Sequence, residues 1–130
     1  MFIIRTYEEM SDTMAILEGN EVHALLEAHL DRLAEYDGFD LEDLAVFAIV
    51  MPGDTLDRIE DDLGRSLIDS EGTFIQPPEI VQKHTNWFEI AFILSDDGFG
   101  LILLVPIDSN TDAKLMAATE AAFAEATPIL

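Results

Sequence analysis

The spacing of apolar residues predicts two amphipathic helices at the start of the chain. One apolar face with helical period is formed by Tyr7, Met10, Met14 and Leu17. Thr6 and Glu9 are spaced as a capping box, so we expect the first helix over residues 7 to 18, ending at Gly19. Asn20 can cap a second helix, whose apolar stripe is formed by Val22, Leu25, Leu26, Leu30 and Leu33. Because the connection is short, we expect the two helices to pack as a helical hairpin.

A continuous apolar run at residues 44 to 51 predicts a strand that is buried on both faces within a sheet. The run stops at Pro52-Gly53, where Asp54 or Thr55 can cap a short helix that ends near Gly64. The inward face of this helix is expected to be formed by Leu56, Ile59 and Leu63.

Two more apolar runs predict a β-hairpin in the C-terminal half of the chain. They occupy residues 87 to 94 and 99 to 105 and flank an Asp-Gly turn within residues 95 to 98. Before the hairpin, residues 73 to 76 are a candidate short strand, and Pro77-Pro78 excludes regular pairing at that point.

After the hairpin, residues 108 to 111 offer caps for an Ala-rich helix that runs to Pro128. The predicted order of elements is typical of an α+β fold. We therefore expect a two-layer domain with a largely antiparallel sheet, an N-terminal helical pair and a C-terminal helix, forming a single domain over residues 1 to 130.

The charge balance changes this picture, because 27 acidic residues stand against 6 basic ones and give a formal net charge of −21. A disordered acidic tail would be poor in apolar residues, whereas 49% of this chain is hydrophobic, so the charge is expected to coat a folded domain. Such a coat disfavours contact with nucleic acid or with an anionic membrane and favours a basic protein partner. Adaptation of the whole protein to high salt is an alternative explanation of the same composition.

Composition also bears on the compartment. The chain has no cysteine, and its apolar runs are less than half of the roughly 20 residues that a membrane-spanning helix needs. The first apolar run is too short for a signal peptide, since Glu8 and Glu9 follow it closely. We therefore expect a soluble cytoplasmic protein.

The densest acidic cluster consists of Asp54, Asp57, Glu60, Asp61 and Asp62. On the short predicted helix, side chains three and four positions apart are neighbours, roughly 5 to 6 Å apart at Cβ. This spacing is comparable with the repeat of DNA phosphates, about 3.4 Å of axis per strand, so the cluster could occupy a basic surface as a DNA mimic does. A solvated face of an acidic protein is the simpler interpretation of the same residues.

The three histidines are the other candidates for chemistry. His29 falls within the apolar stripe of the second helix and is expected to be a packed core residue. His23 and Glu27 are one helical turn apart, but two ligands without a third make a weak metal site. His84 and Trp87 stand close together between the double proline and the hairpin, so they form either a specific polar contact site or a simple connection into the core.

No cofactor or metal site follows from the motifs. Asp108, Asn110 and Asp112 match the start of a calcium-binding loop, but Ala113 and Thr119 occupy positions that need glycine and glutamate. No catalytic residue can be singled out, because carboxylates are too common in this chain for a close pair to carry information.

Three functional hypotheses remain. The leading hypothesis is a non-enzymatic acidic protein that occupies a basic surface of a protein partner, as inhibitors, immunity proteins, antitoxins and DNA mimics do. Its predicted contact residues are Asp54, Asp57, Glu60, Asp61, Asp62, His84 and Trp87. The second is a small enzyme or ligand-binding domain with a pocket near His84 and Trp87, between the sheet and a helical layer. The third is an assembly subunit whose acidity reflects solubility or adaptation to salt.

Overall fold

The chain contains both helices and strands in the computed structural model, which describes residues 1–36, 38–93 and 100–126. In chain order the elements are β1 (Phe2–Ile4), α1 (Tyr7–Ile16), α2 (Glu21–Leu33), a 3₁₀ turn (Ala34–Tyr36), α3 (Leu41–Leu44), β2 (Ala45–Ile49), α4 (Leu56–Leu63), β3 (Ile80–Lys83), β4 (Trp87–Ile93), β5 (Gly100–Pro106) and α5 (Ala113–Ala126). None of the described helices combines the length and the apolar character that crossing a bilayer requires.

Within the described residues, the strands form one mixed sheet in the order β1-β2-β5-β4-β3. Only the pairing of β2 with β5 is parallel among them, and the other neighbours are antiparallel. Strands β4 and β5 pair from Trp87 opposite Pro106 to Ile93 opposite Gly100, which confirms the two hairpin strands. The predicted turn at residues 95 to 98 and the predicted helix end at Pro128 lie outside the described residues.

The predicted α+β fold, with helices packed on a largely antiparallel sheet, is confirmed. A helical layer and a hydrophobic core lie on each face of that sheet. On one face, α1 and α2 bury Met10, Val22 and Leu26 against Phe47 and Leu104. On the other face, α4 and α5 contribute Ile59, Leu115 and Ala118 to the second core. The central strands are therefore apolar on both sides, because every alternate residue meets one of the two cores.

Several local predictions are confirmed by the caps. The Thr6 hydroxyl accepts a hydrogen bond from the Glu9 amide at 3.1 Å and begins α1, while Asn20 accepts from the Val22 amide at 3.0 Å and begins α2. Thr55, and not Asp54, caps α4. Gly64 ends α4 with a φ of 72°, a left-handed conformation that glycine adopts without steric cost.

Other local predictions are wrong or incomplete. Residues 73 to 76 do not form a strand, since Phe74 makes only an isolated bridge with Ile68. The strand lies after the double proline, as β3, and its largely exposed residues carry no clear alternation. The three-residue β1 was not predicted, because so short a run gives no periodicity. The cap of α5 is Asp112, beyond the predicted residues 108 to 111, and it accepts from the amides of Lys114 and Leu115.

Candidate functional site

A cleft of about 320 Å³ lies between α2 with the following 3₁₀ turn and one face of the sheet. Its apolar walls are formed by Leu33, Ala45, Phe47, Ile80, Ala91 and Ile102. Its polar groups are His29, Arg32, Tyr36, Gln82 and Glu89. The cleft is therefore an apolar hollow with a cluster of polar and charged groups, which is the usual composition of a small-molecule site.

Strand register explains the arrangement of the cleft floor. Ile80 pairs with Ala91, Ala91 with Ile102, and Ile102 with Phe47, so these four side chains form one row across the same face of the sheet. Gln82 and Glu89 pair in the adjacent row and therefore lie beside that floor. The small side chain of Ala91 in the middle of the row leaves space that a larger residue would fill.

Helix α2, which carries the upper part of the site, is held in place by polar contacts at its first turns. The Glu21 carboxylate accepts hydrogen bonds from the Asn86 backbone and side-chain amides at 3.2 and 3.0 Å, which ties the helix to the connection between β3 and β4. Nδ1 of His23 lies 2.9 Å from the Met14 carbonyl oxygen, which ties α2 to α1. These contacts position α2, and with it His29 and Arg32, relative to the sheet.

Glu89 is the centre of a buried hydrogen-bond network. It is 9% exposed, although it lies in the middle of an apolar strand. Its Oε2 lies 3.0 Å from Nε2 of His29, and its Oε1 lies 3.1 Å from Nε2 of His84. Each carboxylate oxygen is thus satisfied by a different histidine, as a buried carboxylate requires.

Arg32 determines the tautomer of His29. A guanidinium nitrogen of Arg32 lies 2.8 Å from Nδ1 of His29. Because a guanidinium has only donors, Nδ1 must accept, so His29 is neutral and carries its proton on Nε2. That Nε2–H group donates to Glu89, and the ring also packs edge-on against Phe47 with centroids 5.2 Å apart.

The environment of Glu89 favours its ionised form. Burial by itself raises the pKa of a carboxyl group, but the hydrogen bonds from His29 and His84 outweigh burial, and the pKa of Glu89 is held below its ordinary value. Glu89 is therefore an anion that accepts a hydrogen bond on each of its oxygens.

The structure places the predicted contact residues in different parts of the molecule. Trp87 is 5% exposed and belongs to the core beneath α1 and α2, while half-buried His84 binds Glu89. The acidic helix α4 lies on the opposite face of the sheet, because its Ile59 enters the other core. The predicted acidic cluster and the His84–Trp87 pair therefore do not form a continuous surface.

Two members of the acidic cluster have structural partners. Oδ2 of Asp54 accepts from the Met51 amide at 2.8 Å and lies 2.9 Å from the amino group of Met1. Burial raises the pKa of Asp54, but these two contacts lower it more, so the pKa lies below its ordinary value.

Oε2 of Glu60 accepts from the amides of Leu67 and Ile68 at 2.5 and 3.3 Å and so holds the segment that follows α4. Asp57, Asp61 and Asp62 are exposed. Of these three carboxylates, Asp62 alone has a cationic partner among the described residues, Arg58 at 3.8 Å.

The other candidate ligands have ordinary contacts. Nε2 of His23 lies 3.8 Å from Glu27, and Oδ1 of Asp108 accepts from the Asn110 amide within a turn. Across residues 1–36, 38–93 and 100–126, no group of three or more His, Cys, Asp or Glu side chains is placed to hold a metal ion.

Sequence reasoning assigned His29 to the core, which is confirmed by its 8% exposure, but it did not assign a site to His29, Arg32 or Glu89. One signal was available for Glu89, because a carboxylate in the middle of the apolar run Trp87–Ile93 must find a partner when the strand is buried. For Arg32, the sequence indicated only that it lies three residues after His29 on a helix, where the two side chains are neighbours.

Comparison of the chain with protein-family models, with curated proteins and with solved structures gives no match.

Proposed function

We propose that this protein binds a small molecule in the cleft between α2 and the sheet. The observation that carries the proposal is the convergence of Arg32, His29 and Glu89 at an apolar cavity of about 320 Å³. A surface cleft of this size that combines apolar walls with hydrogen-bonding groups is suited to a small ligand. His84, near which the second hypothesis expects a pocket, contacts Glu89 of this cleft.

The test compares binding to the natural cleft with binding to a filled one. Ala91→Leu adds bulk at the centre of the floor, whereas Ala28→Leu makes the same change on the exposed side of α2. Both variants and the wild type are screened by ligand-observed NMR against a library of acidic, basic and neutral fragments. We expect the hits of the wild type to be retained by Ala28→Leu and lost by Ala91→Leu. Equal hits for all three proteins would contradict the proposal.

A second candidate function is the occupation of a basic surface on a protein partner by helix α4, as an inhibitor or a DNA mimic would do. The specific observation is that Asp57 and Asp61, one turn apart, are exposed and have no cationic partner among the described residues. With the net charge of −21, these carboxylates would accelerate encounter with a basic partner. The absence of cysteine is compatible with a cytoplasmic setting for this interaction.

The test of this candidate removes the two carboxylates without touching Glu60, which holds the backbone. Partners are captured from cell extract with wild type and with the double variant Asp57→Asn/Asp61→Asn, at low and moderate salt. The control Glu8→Gln/Asp12→Asn removes two exposed charges with the same spacing on α1. We expect one basic protein to be lost only with the α4 variant, and loss with both variants would assign the effect to net charge alone.

A further inference from the structure

Among the described residues that line the cleft, Arg32 is the one with a cationic side chain. It is exposed, and no carboxylate of the described residues lies within ion-pair distance of it, although the chain has 27 acidic residues. Its described hydrogen bond goes to the neutral imidazole of His29. A guanidinium carries five donors in a planar fork, so most of the donor capacity of Arg32 is not used by the described residues.

Glu89, the anionic side chain among the described residues of the cleft, has no free hydrogen-bonding oxygen, in contrast to Arg32. Both of its oxygens accept hydrogen bonds from histidines, and only 11% of its side chain is exposed. An incoming cation would have to compete with these two donors and would also face the charge of Arg32. Among the described residues of the cleft, the charged group with free hydrogen-bonding capacity is therefore the cation Arg32, although the net charge of the whole chain is strongly negative.

On the basis of the function proposed above, we propose that the ligand of this cleft is a compact molecule with an apolar body and one anionic end. The anionic end, a carboxylate or a phosphate, pairs with the guanidinium of Arg32, for which both groups have a bidentate geometry. The apolar body lies on the row formed by Ile80, Ala91, Ile102 and Phe47. The net negative charge does not prevent this, since the Debye length of about 8 Å at physiological ionic strength screens the distant carboxylates.

The same arrangement gives His29 a role in recognition. Because Glu89 holds the proton of His29 on Nε2, the Nδ1 lone pair is the group that faces Arg32. An anionic ligand that draws the guanidinium towards itself leaves Nδ1 available to accept a hydrogen bond from the ligand. The site is then selective for an anion that also carries a hydroxyl or amide donor near its charged end.

The experiment uses probes that share a phenyl ring and differ in the polar group attached to it. Phenylacetate, phenyl phosphate and the neutral phenylacetamide are titrated into the 130-residue protein. Binding is followed by the NMR signals of Ala91, Ile102 and the His29 imidazole nitrogens. The variants are Arg32→Gln, which removes the charge, and Arg32→Lys, which keeps the charge without the fork. The matched control is Arg58→Gln on α4, on the opposite face of the sheet.

We expect one of the two anions to bind the wild type about tenfold or more tightly than phenylacetamide, the size of effect that one charge-assisted contact gives. Arg32→Gln should remove this preference, Arg32→Lys should retain part of it, and Arg58→Gln should leave it unchanged. Binding of the anion should also shift the Nδ1 signal of His29. The choice between carboxylate and phosphate follows from the two anionic probes.

Failure of this inference is distinguishable from failure of the proposed function. If phenylacetamide binds the cleft as tightly as both anions, or if Arg32→Gln keeps the preference, the anionic ligand is wrong while the cleft remains a binding site. If none of the probes perturbs Ala91 or Ile102, both proposals are overturned.

Discussion

Nε2 of His29 lies 3.0 Å from Oε2 of Glu89, and the two residues are separated by 60 positions in the sequence. The contact joins α2 to the middle of β4 and is completed by Arg32 on one side and by His84 on the other. An apolar contact of similar size would hold the helix on the sheet without the desolvation cost of buried polar groups. A buried polar network avoids that cost only when every member is hydrogen-bonded. Three members of the network, His29, Arg32 and Glu89, line the cleft that we propose as a ligand site.

The first prediction concerns the tautomer of His29. We expect a neutral imidazole with the proton on Nε2, because the guanidinium of Arg32 can only donate to Nδ1. Long-range ¹H–¹⁵N correlation of the imidazole ring near neutral pH distinguishes the two tautomers directly. The opposite tautomer would show that Arg32 does not donate to this ring in solution.

The second prediction concerns Glu89 and stability. Replacing Glu89 with Gln leaves one histidine N–H facing an amide donor, and we expect a loss of about 1–3 kcal/mol in the free energy of unfolding. The pKa of Glu89 is lowered in the folded protein, so its ionised form stabilises the fold fully above the unfolded-state pKa. This contribution is lost as the pH falls through the lower folded-state pKa.

Urea unfolding of wild type and Glu89→Gln at a series of pH values measures the contribution of ionised Glu89 to the free energy of unfolding. The protein concentration is kept low, because the chain loses net charge in acid. The difference between the two proteins should be present at about pH 5 and should shrink towards about pH 2. A difference that does not change over this range would contradict an ionised Glu89. Asp54 and Asp112 also have lowered pKa values but are common to both proteins and cancel in the comparison.

The third prediction separates two neighbouring carboxylates of α4. Glu60→Ala removes the acceptor of the Leu67 and Ile68 amides, so we expect it to lower the free energy of unfolding by about 1–3 kcal/mol. Asp61→Ala changes an exposed side chain next to it and should alter stability by less than about 0.5 kcal/mol. Chemical denaturation of both variants provides the measurement, and equal effects would show that Glu60 is merely part of the solvated surface.

The fourth prediction follows from net charge. The folded state concentrates a formal charge of −21, so screening by added salt should raise the midpoint of thermal unfolding between low and moderate ionic strength. The double variant Asp57→Asn/Asp61→Asn should show a smaller rise, since it reduces repulsion on α4. A melting temperature that is independent of salt would mean that self-repulsion does not limit the stability of this fold.

Local pattern was sufficient for much of the fold. Caps at Thr6, Asn20 and Gly64 act within one or two turns of the chain, so their signals are complete in the sequence. The strands of the hairpin were recognisable for the same reason, through their apolar runs. The position of strand β3 was predicted wrongly because the strand is short and exposed, so its residues show no alternation. Its pairing with β4 is what makes this segment a strand.

The acidic cluster shows where local reasoning stops. In the sequence, Asp54, Asp57, Glu60, Asp61 and Asp62 are equivalent carboxylates on or before one short helix. In the folded chain, Asp54 and Glu60 accept backbone hydrogen bonds, while the other three are exposed. The distinction depends on where the chain returns after the helix, which periodicity does not encode.

By itself, the sequence determined the α+β class, the positions of the main helices, the hairpin strands and the acidic surface, because these depend on spacing, capping and composition. Only the tertiary structure decided that Glu89 meets His29 and His84, that Arg32 faces a cavity, and that the acidic helix lies on the opposite face of the sheet. These relationships join side chains of α2 with side chains of the strands and of the connection between β3 and β4, which come together only when the helix docks on the sheet. Burial then imposes the pairing, since a carboxylate taken out of water must be satisfied by the donors that the fold places beside it.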